Sequence, residues 1–106
     1  MRIIVTGGTG FLGKRICRKL IIGNHTVFTY DIVDGYDILN TEQLKKIFIE
    51  FKPECIIHLA ACADLNIFVK KPEISYKINV IGTRNILNLC EKYNVRLLFA
   101  STCCCY

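Results

Sequence analysis

Three glycines and one aspartate are the first residues whose types and spacing suggest chemistry. Gly7, Gly10 and Gly13 recur at every third position in "VTGGTGFLG", and Asp31 directly follows the apolar run "TVFTY". Because glycine has no Cβ, such a turn can approach a pyrophosphate closely, and the N–H groups that open a following helix attract the same anion. A carboxylate at Asp31 can accept both hydroxyls of a ribose. The pattern therefore predicts a dinucleotide-binding turn.

The same aspartate favours one dinucleotide over the other. A carboxylate at Asp31 would repel a 2′-phosphate, and no arginine follows it closely. We therefore expect NAD as the cofactor, with NADP less favoured. The alternative interpretation is a tight turn beside a solvated aspartate. A P-loop is excluded, because no GK[ST] follows the glycines.

The elements that must position these groups alternate between strands and helices. Short apolar runs predict strands, and apolar residues at helical spacing predict helices. The predicted strands are Arg2–Thr6, Thr26–Tyr30, 55–59 and 95–101, and the predicted helices are Phe11–Ile22, a helix capped by Asn40 that ends before Pro53, and 72–93. This order indicates an α/β fold, a doubly wound parallel sheet of about four strands and three helices. Ligands bind such sheets beyond the carboxyl ends of the strands, where the glycine turn and Asp31 lie.

Two details of packing also follow from the pattern. In the long helix, Val80, Thr83, Leu87 and Cys90 predict one buried face. Gly82 lies inside that helix and predicts a close contact with another element. His58, in the third strand, could be a base or a packing residue.

Length, charge and cysteine content bound the remaining possibilities. The 106 residues suffice for one domain at most, and the net charge of +5 comes from scattered basic residues rather than a basic platform for nucleic acid. We find no apolar run long enough to span a membrane and no signal peptide, so we expect a cytoplasmic protein.

The seven cysteines include no CxxC pair. We expect reduced, structural cysteines and no metal site.

Several segments together carry a family resemblance. They are "TGGTGFLG", Tyr36-Asp37-Ile38, "IIHLAA", "NVIGTRNIL" and the final "STCCCY". In this order they resemble the N-terminal part of an extended short-chain dehydrogenase/reductase, in the NAD-dependent epimerase/dehydratase family that acts on nucleotide sugars. The resemblance covers essentially the whole chain and implies a Rossmann-type sheet, here incomplete.

The resemblance implies roles for individual residues. Asp37 would meet the adenine amino group, and the backbone of the "HLAA" loop would pass the cofactor. His58 would be a packing residue rather than a base. Thr102 would be the catalytic hydroxyl that bonds the sugar oxygen during hydride transfer. The full set of implied cofactor-binding residues is Gly7, Gly10, Phe11, Leu12, Gly13, Asp31, Asp37, Ile38, Leu59, Ala60, Ala61, Ala63 and Asn79.

Other implications concern what the sequence does not contain. The family's catalytic base is the tyrosine of a Tyr-x-x-x-Lys motif, which occurs nowhere in these 106 residues. We therefore expect residues 1–106 to be the N-terminal part of an NAD(P)-binding domain, without the substrate domain and inactive alone. The resemblance implies a nucleotide-sugar substrate and a homodimer for the full-length protein.

The reaction type stays open at this stage. The link between Asp31 and Asp37 is short, and in this it is similar to dTDP-4-dehydrorhamnose reductases. The reaction could be epimerisation or dehydration with NAD recycled, or a net reduction. A non-catalytic NAD-binding module is a further alternative. A basic nucleic-acid-binding domain is the remaining one, and strongly salt-dependent binding would identify it.

Overall fold

The structure is a computed structural model that describes residues 1–59 and 71–99. The elements in chain order are β1 (Arg2–Thr6), α1 (Phe11–Ile22), β2 (Thr26–Tyr30), α2 (Thr41–Phe51), β3 (Cys55–His58), α3 (Pro72–Tyr76), α4 (Gly82–Tyr93) and β4 (Arg96–Phe99). A 3-10 turn at Ile32–Asp34 follows β2, and a π-helical segment at Lys77–Ile81 joins α3 to α4. The long helix predicted over 72–93 is therefore present, but its middle is wound more widely.

The four strands form one parallel sheet in the order β2-β1-β3-β4. Thr6 lies opposite Tyr30 on one side and opposite His58 on the other. The carboxyl ends of the strands therefore meet at one edge, as the sequence predicts. The chain runs outward from β1 to β2 and then crosses back to β3, so the order reverses between β1 and β3. Ligands of open α/β sheets bind at such a reversal.

Apolar side chains on both faces of the sheet are covered by helices. Because successive strand residues point to opposite faces, Ile4 packs in one core cluster while Ile3 and Val5 pack in another. The first cluster includes Leu44 of α2 and Ile86 of α4. The second includes Cys17 of α1. This is the doubly wound arrangement that the alternation of elements predicts.

The predicted buried face of the long helix is partly wrong. Gly82, Ile86 and Cys90 are the buried residues of α4, whereas Val80 and Leu87 are 40% and 49% exposed. Val80 belongs to the π-helical segment, where each turn contains more residues than in an α-helix. A period of 3.6 extended back across that turn therefore misplaces Val80. Leu87 lies after the turn, within α4 and next to the buried Ile86, so the wide turn does not account for its exposure.

Gly82 makes the close contact that the sequence predicts. A Cβ on Gly82 would lie 2.9 Å from Cγ1 of Ile38, a distance that real Cβ atoms do not show. Ile38 is itself buried, and its carbonyl accepts a hydrogen bond from the Asn85 amide at 3.0 Å. The segment before α2 is thereby held against α4.

Two strand boundaries differ from the prediction by one residue. Strand β3 ends at His58 rather than at 59, and β4 begins at Arg96 rather than at 95. Positions 100 and 101 of the last predicted strand lie outside the described residues. Across residues 1–59 and 71–99, none of the helices is both long and apolar enough to cross a bilayer.

Candidate functional site

The glycine turn is held by backbone contacts that need glycine at specific positions. Gly7 has a φ of 69°, in the left-handed region, and its N–H donates to the Tyr30 carbonyl at 3.1 Å. The Gly10 N–H then donates to the Gly7 carbonyl at 3.1 Å. A Cβ on Gly13 would lie 2.7 Å from the Cα of Gly8, so Gly13 lets the helix start lie against the turn.

The start of α1 is suited to an anion. No side chain caps it, and its first turn contains no acidic residue. The first helical bond runs from the Lys14 N–H to the Gly10 carbonyl at 2.9 Å. The N–H groups of Phe11, Leu12 and Gly13 precede that bond and therefore have no acceptor within the helix. They carry the positive end of the helix dipole.

The side chains of this first turn point away from the core. Phe11 is 79% exposed and Leu12 is 52% exposed. The Arg15 guanidinium lies 4.5 Å from the centroid of the Phe11 ring. Of the residues predicted to hold the cofactor, Phe11 and Leu12 can therefore offer backbone N–H groups, with their side chains at the surface.

Asp31 is buried at the tip of β2, and its carboxylate accepts hydrogen bonds from Thr9 and Val33. Its Oδ2 accepts from the Thr9 N–H at 3.0 Å and from the Thr9 hydroxyl at 2.6 Å, and its Oδ1 accepts from the Val33 N–H at 3.1 Å. Burial by itself would raise the pKa of Asp31, but these hydrogen bonds outweigh it and leave the pKa below the ordinary value. The carboxylate is therefore ionised at neutral pH.

Thr9 is the site residue that the sequence analysis missed. It belongs to the glycine turn, and Asp31 follows the neighbouring strand. Because β1 and β2 are parallel neighbours, the segments that follow them meet at the same edge. The sequence offered one signal for this contact: Thr9 lies within the glycine turn, and Asp31 directly follows the next strand.

The segment around Asp37 is fixed by groups from β2 and α2. The Tyr30 hydroxyl donates to the Asp37 carbonyl at 2.7 Å, and the Asp37 N–H donates to Oε1 of Gln43 at 3.0 Å. Asp37 Oδ1 accepts from the Leu39 N–H at 2.9 Å. The Asn40 side chain caps α2 as predicted, by accepting from the Gln43 N–H at 3.1 Å. The Gln43 side chain, which also donates to the Gly35 carbonyl at 3.0 Å, holds the Asp37 segment against the start of α2.

Ile38 occupies a different position from the other predicted site residues. Its side chain is buried against Gly82, so it does not face the edge of the sheet where the glycine turn lies. A contact between Ile38 and a cofactor would have to come from its backbone. Its role as a cofactor-binding residue stays a prediction.

The end of β3 is joined to the end of β1 by side-chain hydrogen bonds. His58 Nδ1 lies 2.6 Å from the Thr6 hydroxyl oxygen, and the Leu59 N–H donates to the same oxygen at 3.0 Å. His58 Nε2 lies 3.0 Å from the Thr83 hydroxyl oxygen. The Thr83 hydroxyl donates in turn to the Asn79 carbonyl at 2.8 Å. His58 is thus more than the packing residue that the sequence suggests.

Several predicted residues lie outside the described part of the chain. They are Ala60, Ala61, Ala63 and Thr102, together with Cys62, the three cysteines 103–105 and Tyr106. Their roles stay predictions.

The cysteines that the structure describes have no sign of reactivity. Cys17, Cys55 and Cys90 are buried and unpaired by disulfides. Burial raises the pKa of the Cys17 and Cys55 thiols, and burial with the nearby Cys55 raises the pKa of Cys90 to about 11. Within residues 1–59 and 71–99, no three His, Cys, Asp or Glu side chains come together to hold a metal ion.

Known proteins resemble this chain in both sequence and structure. The family model described as "NAD dependent epimerase/dehydratase family" matches residues 3–106. A putative UDP-glucose 4-epimerase of Methanocaldococcus jannaschii is 36% identical over 114 residues, which cover 94% of this chain and 37% of that protein. The chain thus spans less than two-fifths of the length of that relative.

Two solved structures share the fold closely. UDP-glucose 4-epimerase of Thermus thermophilus, in complex with NAD, matches with a TM-score of 0.89 and 32% identity, covering 96% of this chain and 38% of that one. The dTDP-4-dehydrorhamnose reductase of Bacillus anthracis, in complex with NADP, matches with a TM-score of 0.83 and 31% identity, covering 91% and 34%. Because the family model matches residues 3–106 and these solved structures share the fold, the chain belongs to the NAD-dependent epimerase/dehydratase family.

Proposed function

We propose that this chain is the NAD-binding part of a nucleotide-sugar epimerase or dehydratase, in which a hydride is removed from a sugar carbon and returned, so that NAD is recycled. The observation that carries the proposal is the position of Asp31. An ionised, buried carboxylate lies at the edge of the sheet, hydrogen-bonded to the glycine turn that opens a helix without acidic residues in its first turn. A dinucleotide places a ribose and a pyrophosphate in this same relationship.

The residues of this turn fit the group. The N–H groups of Phe11, Leu12 and Gly13 would receive the pyrophosphate. Among residues 1–59 and 71–99, a Cβ on Gly10 would meet only the Gly7 carbonyl, at 3.4 Å. Asp31 would accept from the ribose hydroxyls. The chemistry that bound NAD supplies is acceptance and return of a hydride.

Three hydrogen bonds from Thr9 and Val33 already engage the Asp31 carboxylate, whose two oxygens offer about four acceptor positions, and the Ile32 N–H also lowers the pKa of this group. Binding of a ribose diol would therefore share or displace the Thr9 hydroxyl. A 2′-phosphate would bring its charge to an ionised, buried carboxylate. This supports NAD over NADP.

The remaining predicted residues complete the proposal. Asp37 would meet the adenine, and Leu59, Ala60, Ala61, Ala63 and Asn79 would line the cofactor. Thr102 would bond the reacting sugar oxygen. Residues 1–106 would form the N-terminal part of the cofactor-binding domain of a homodimeric, cytoplasmic enzyme, and a Tyr-x-x-x-Lys motif and substrate domain would be supplied by further chain.

A second candidate function is net reduction of a 4-keto sugar nucleotide. The observation that favours it is the short segment between Asp31 and Asp37, which consists of a 3-10 turn and Gly35 at a φ of 85°, followed by Tyr36. The similarity to a dTDP-4-dehydrorhamnose reductase in complex with NADP supports the same interpretation. The fate of the cofactor separates the two candidates: it is recycled in epimerisation or dehydration and consumed in reduction.

Titration calorimetry on the complete product of the gene tests the proposal. We expect NAD to bind more tightly than NADP, and Asp31→Ala to weaken NAD binding by about 1.5–3 kcal/mol, the scale of hydrogen bonds to a charged group. Asp34→Ala, an exposed acid on the following turn, is the matched control and should bind NAD as the unaltered protein does. Equal affinity of the Asp31 variant, with its circular dichroism spectrum unchanged, would remove Asp31 from the site.

An activity assay then separates the candidate reactions. Interconversion of UDP-sugars with no net change in NADH absorbance supports the epimerase. Stoichiometric loss of NADPH or NADH with a 4-keto dTDP-sugar supports the reductase.

A further inference from the structure

A buried histidine at the end of β3 joins two other elements. His58 is 1% exposed, and both of its ring nitrogens lie within hydrogen-bonding distance of threonine hydroxyls. Thr6 of β1 is 2.6 Å from Nδ1, and Thr83 of α4 is 3.0 Å from Nε2. One imidazole therefore spans from the neighbouring strand to the helix that covers the sheet.

The direction of each hydrogen bond follows from the number of protons available. The single hydroxyl proton of Thr83 is donated to the Asn79 carbonyl, at 2.8 Å. Towards His58, the Thr83 oxygen must therefore accept, which places a proton on Nε2. A neutral ring with its proton on Nε2 has a bare Nδ1, which accepts from the Thr6 hydroxyl. The Thr6 hydroxyl oxygen accepts in turn from the Leu59 N–H at 3.0 Å, and this N–H is shared with the Thr6 backbone carbonyl at 3.1 Å.

The two ends of this chain of hydrogen bonds coincide with residues of the proposed cofactor site. At one end are the Leu59 N–H and Thr6, which directly precedes Gly7. At the other end is the carbonyl of Asn79, in the π-helical segment. The Thr83 hydroxyl donates to this carbonyl from four residues further along the chain. The Asn79 carbonyl thus accepts from a side chain, in addition to the backbone pattern of a helix. Such wide turns recur at functional sites.

We propose that His58 is a positioning residue, which acts through Thr6 and Thr83 to hold the glycine turn, Leu59 and Asn79 in the arrangement that receives the cofactor. This inference rests on the proposed function. It adds a residue that acts without touching the cofactor, because His58 lies in the protein interior. A ring buried only for packing would fill the same space without a fixed proton position.

The position of the proton is the first readout, and it needs no variant beyond the one that identifies the signals. Imidazole ¹⁵N–¹H spectra of the complete gene product at pH 7, with the His58 signals identified by their loss in His58→Gln, should show the Nε2–H form. A proton on Nδ1, or rapid averaging between the two neutral forms, overturns the proposal.

The affinity for NAD is the second readout. Thr83→Val removes the acceptor for Nε2–H while keeping a β-branched side chain, and we expect it to weaken NAD binding about five- to tenfold, the scale of one neutral hydrogen bond. Thr83→Ser keeps the hydroxyl and should restore binding. Thr29→Val is the matched control: Thr29 is a strand threonine whose hydroxyl lies 4.0 Å from Cys17 Sγ, outside this chain of hydrogen bonds.

The outcomes distinguish this proposal from the proposed function. If the unaltered protein binds NAD and Thr83→Val binds it equally well, or no worse than Thr29→Val does, His58 does not position the cofactor site, and the proposed function stands. If the unaltered protein binds no NAD, the proposed function fails and the positioning role fails with it.

Discussion

The hydroxyl and the backbone N–H of Thr9 both donate to Oδ2 of Asp31, at 2.6 and 3.0 Å. Asp31, which would bind the ribose, is thus hydrogen-bonded to the glycine turn, which would bind the pyrophosphate. Because the two groups lie after neighbouring parallel strands, a single residue can join them. Removal of the Thr9 hydroxyl should therefore lower the stability of the protein.

Thr9→Val should lower the free energy of unfolding by about 1.5–3 kcal/mol at pH 7, because it removes a hydrogen bond to a buried, charged group. Urea denaturation measures the loss. In an Asp31→Asn background the same substitution should cost less, since the acceptor has lost its charge. Thr29→Val serves as the control for loss of a half-buried threonine hydroxyl. Equal costs of Thr9→Val in both backgrounds would contradict a direct Thr9–Asp31 interaction.

Gly10 and Gly13 should respond differently to the same change. Gly10→Ala adds a methyl group that, within the part of the chain that the structure describes, meets only the Gly7 carbonyl, at 3.4 Å, and the φ of −72° at Gly10 suits alanine. We expect its stability to change by less than about 1 kcal/mol, the range of tolerated glycine substitutions, while NAD binding weakens at least tenfold. Calorimetry and urea denaturation measure the two effects.

Gly13→Ala is the contrasting variant. Its new methyl group would lie against the Gly7 carbonyl and 2.7 Å from the Gly8 Cα, and backbone atoms cannot move aside as a side chain can. We expect a loss of more than about 2 kcal/mol of stability, together with loss of NAD binding. If both variants were equally stable, the close approach of Gly13 to the turn would be wrong.

Gly82→Ala should destabilise the protein by about 1–3 kcal/mol, because the added methyl group overlaps Ile38 in a packed core. The better helix propensity of alanine, about 1 kcal/mol, offsets part of this cost. Ile38→Ala removes the opposing atoms, so Gly82→Ala should cost less in that background. Gly23→Ala, at a helix end where the nearest atom is 3.3 Å away, is the control and should change stability by less than about 1 kcal/mol.

The sequence predicts the order of elements well, because each strand is a short apolar run whose neighbours include glycine, proline or asparagine. Helix α1 and strands β1 and β2 have the predicted bounds. The buried face of the long helix was predicted only in part. Cys90 is buried as expected, but the wide turn at Lys77–Ile81 shifts Val80, and no residue type marks such a turn.

The site shows the same division. Gly7, Gly13 and Asp31 are predictable because backbone conformation, close approach and charge depend on residue type. The contacts of Thr9, Gln43, Thr83 and His58 are not, because each joins residues that are brought together only by strand pairing or helix packing. His58, for example, reaches Thr6 across 52 positions of sequence.

The stability of the protein should depend on pH through His58. Burial lowers its pKa from 6.5 to about 4, so between these values the unfolded chain binds a proton that the folded protein does not. The contribution of neutral His58 is therefore fully present above about pH 6.5 and is lost as the pH falls towards 4, and the free energy of unfolding should drop by about 2 kcal/mol between pH 7 and pH 5. The lowered pKa of Asp31 acts in the same direction but below its ordinary value of 3.8, outside this interval.

Urea denaturation between pH 7 and pH 5 measures this change. The free energy of unfolding should fall with pH in the unaltered protein and in Thr29→Val, and this slope should be lost in His58→Gln. A slope that persists in His58→Gln would assign the pH dependence to another group.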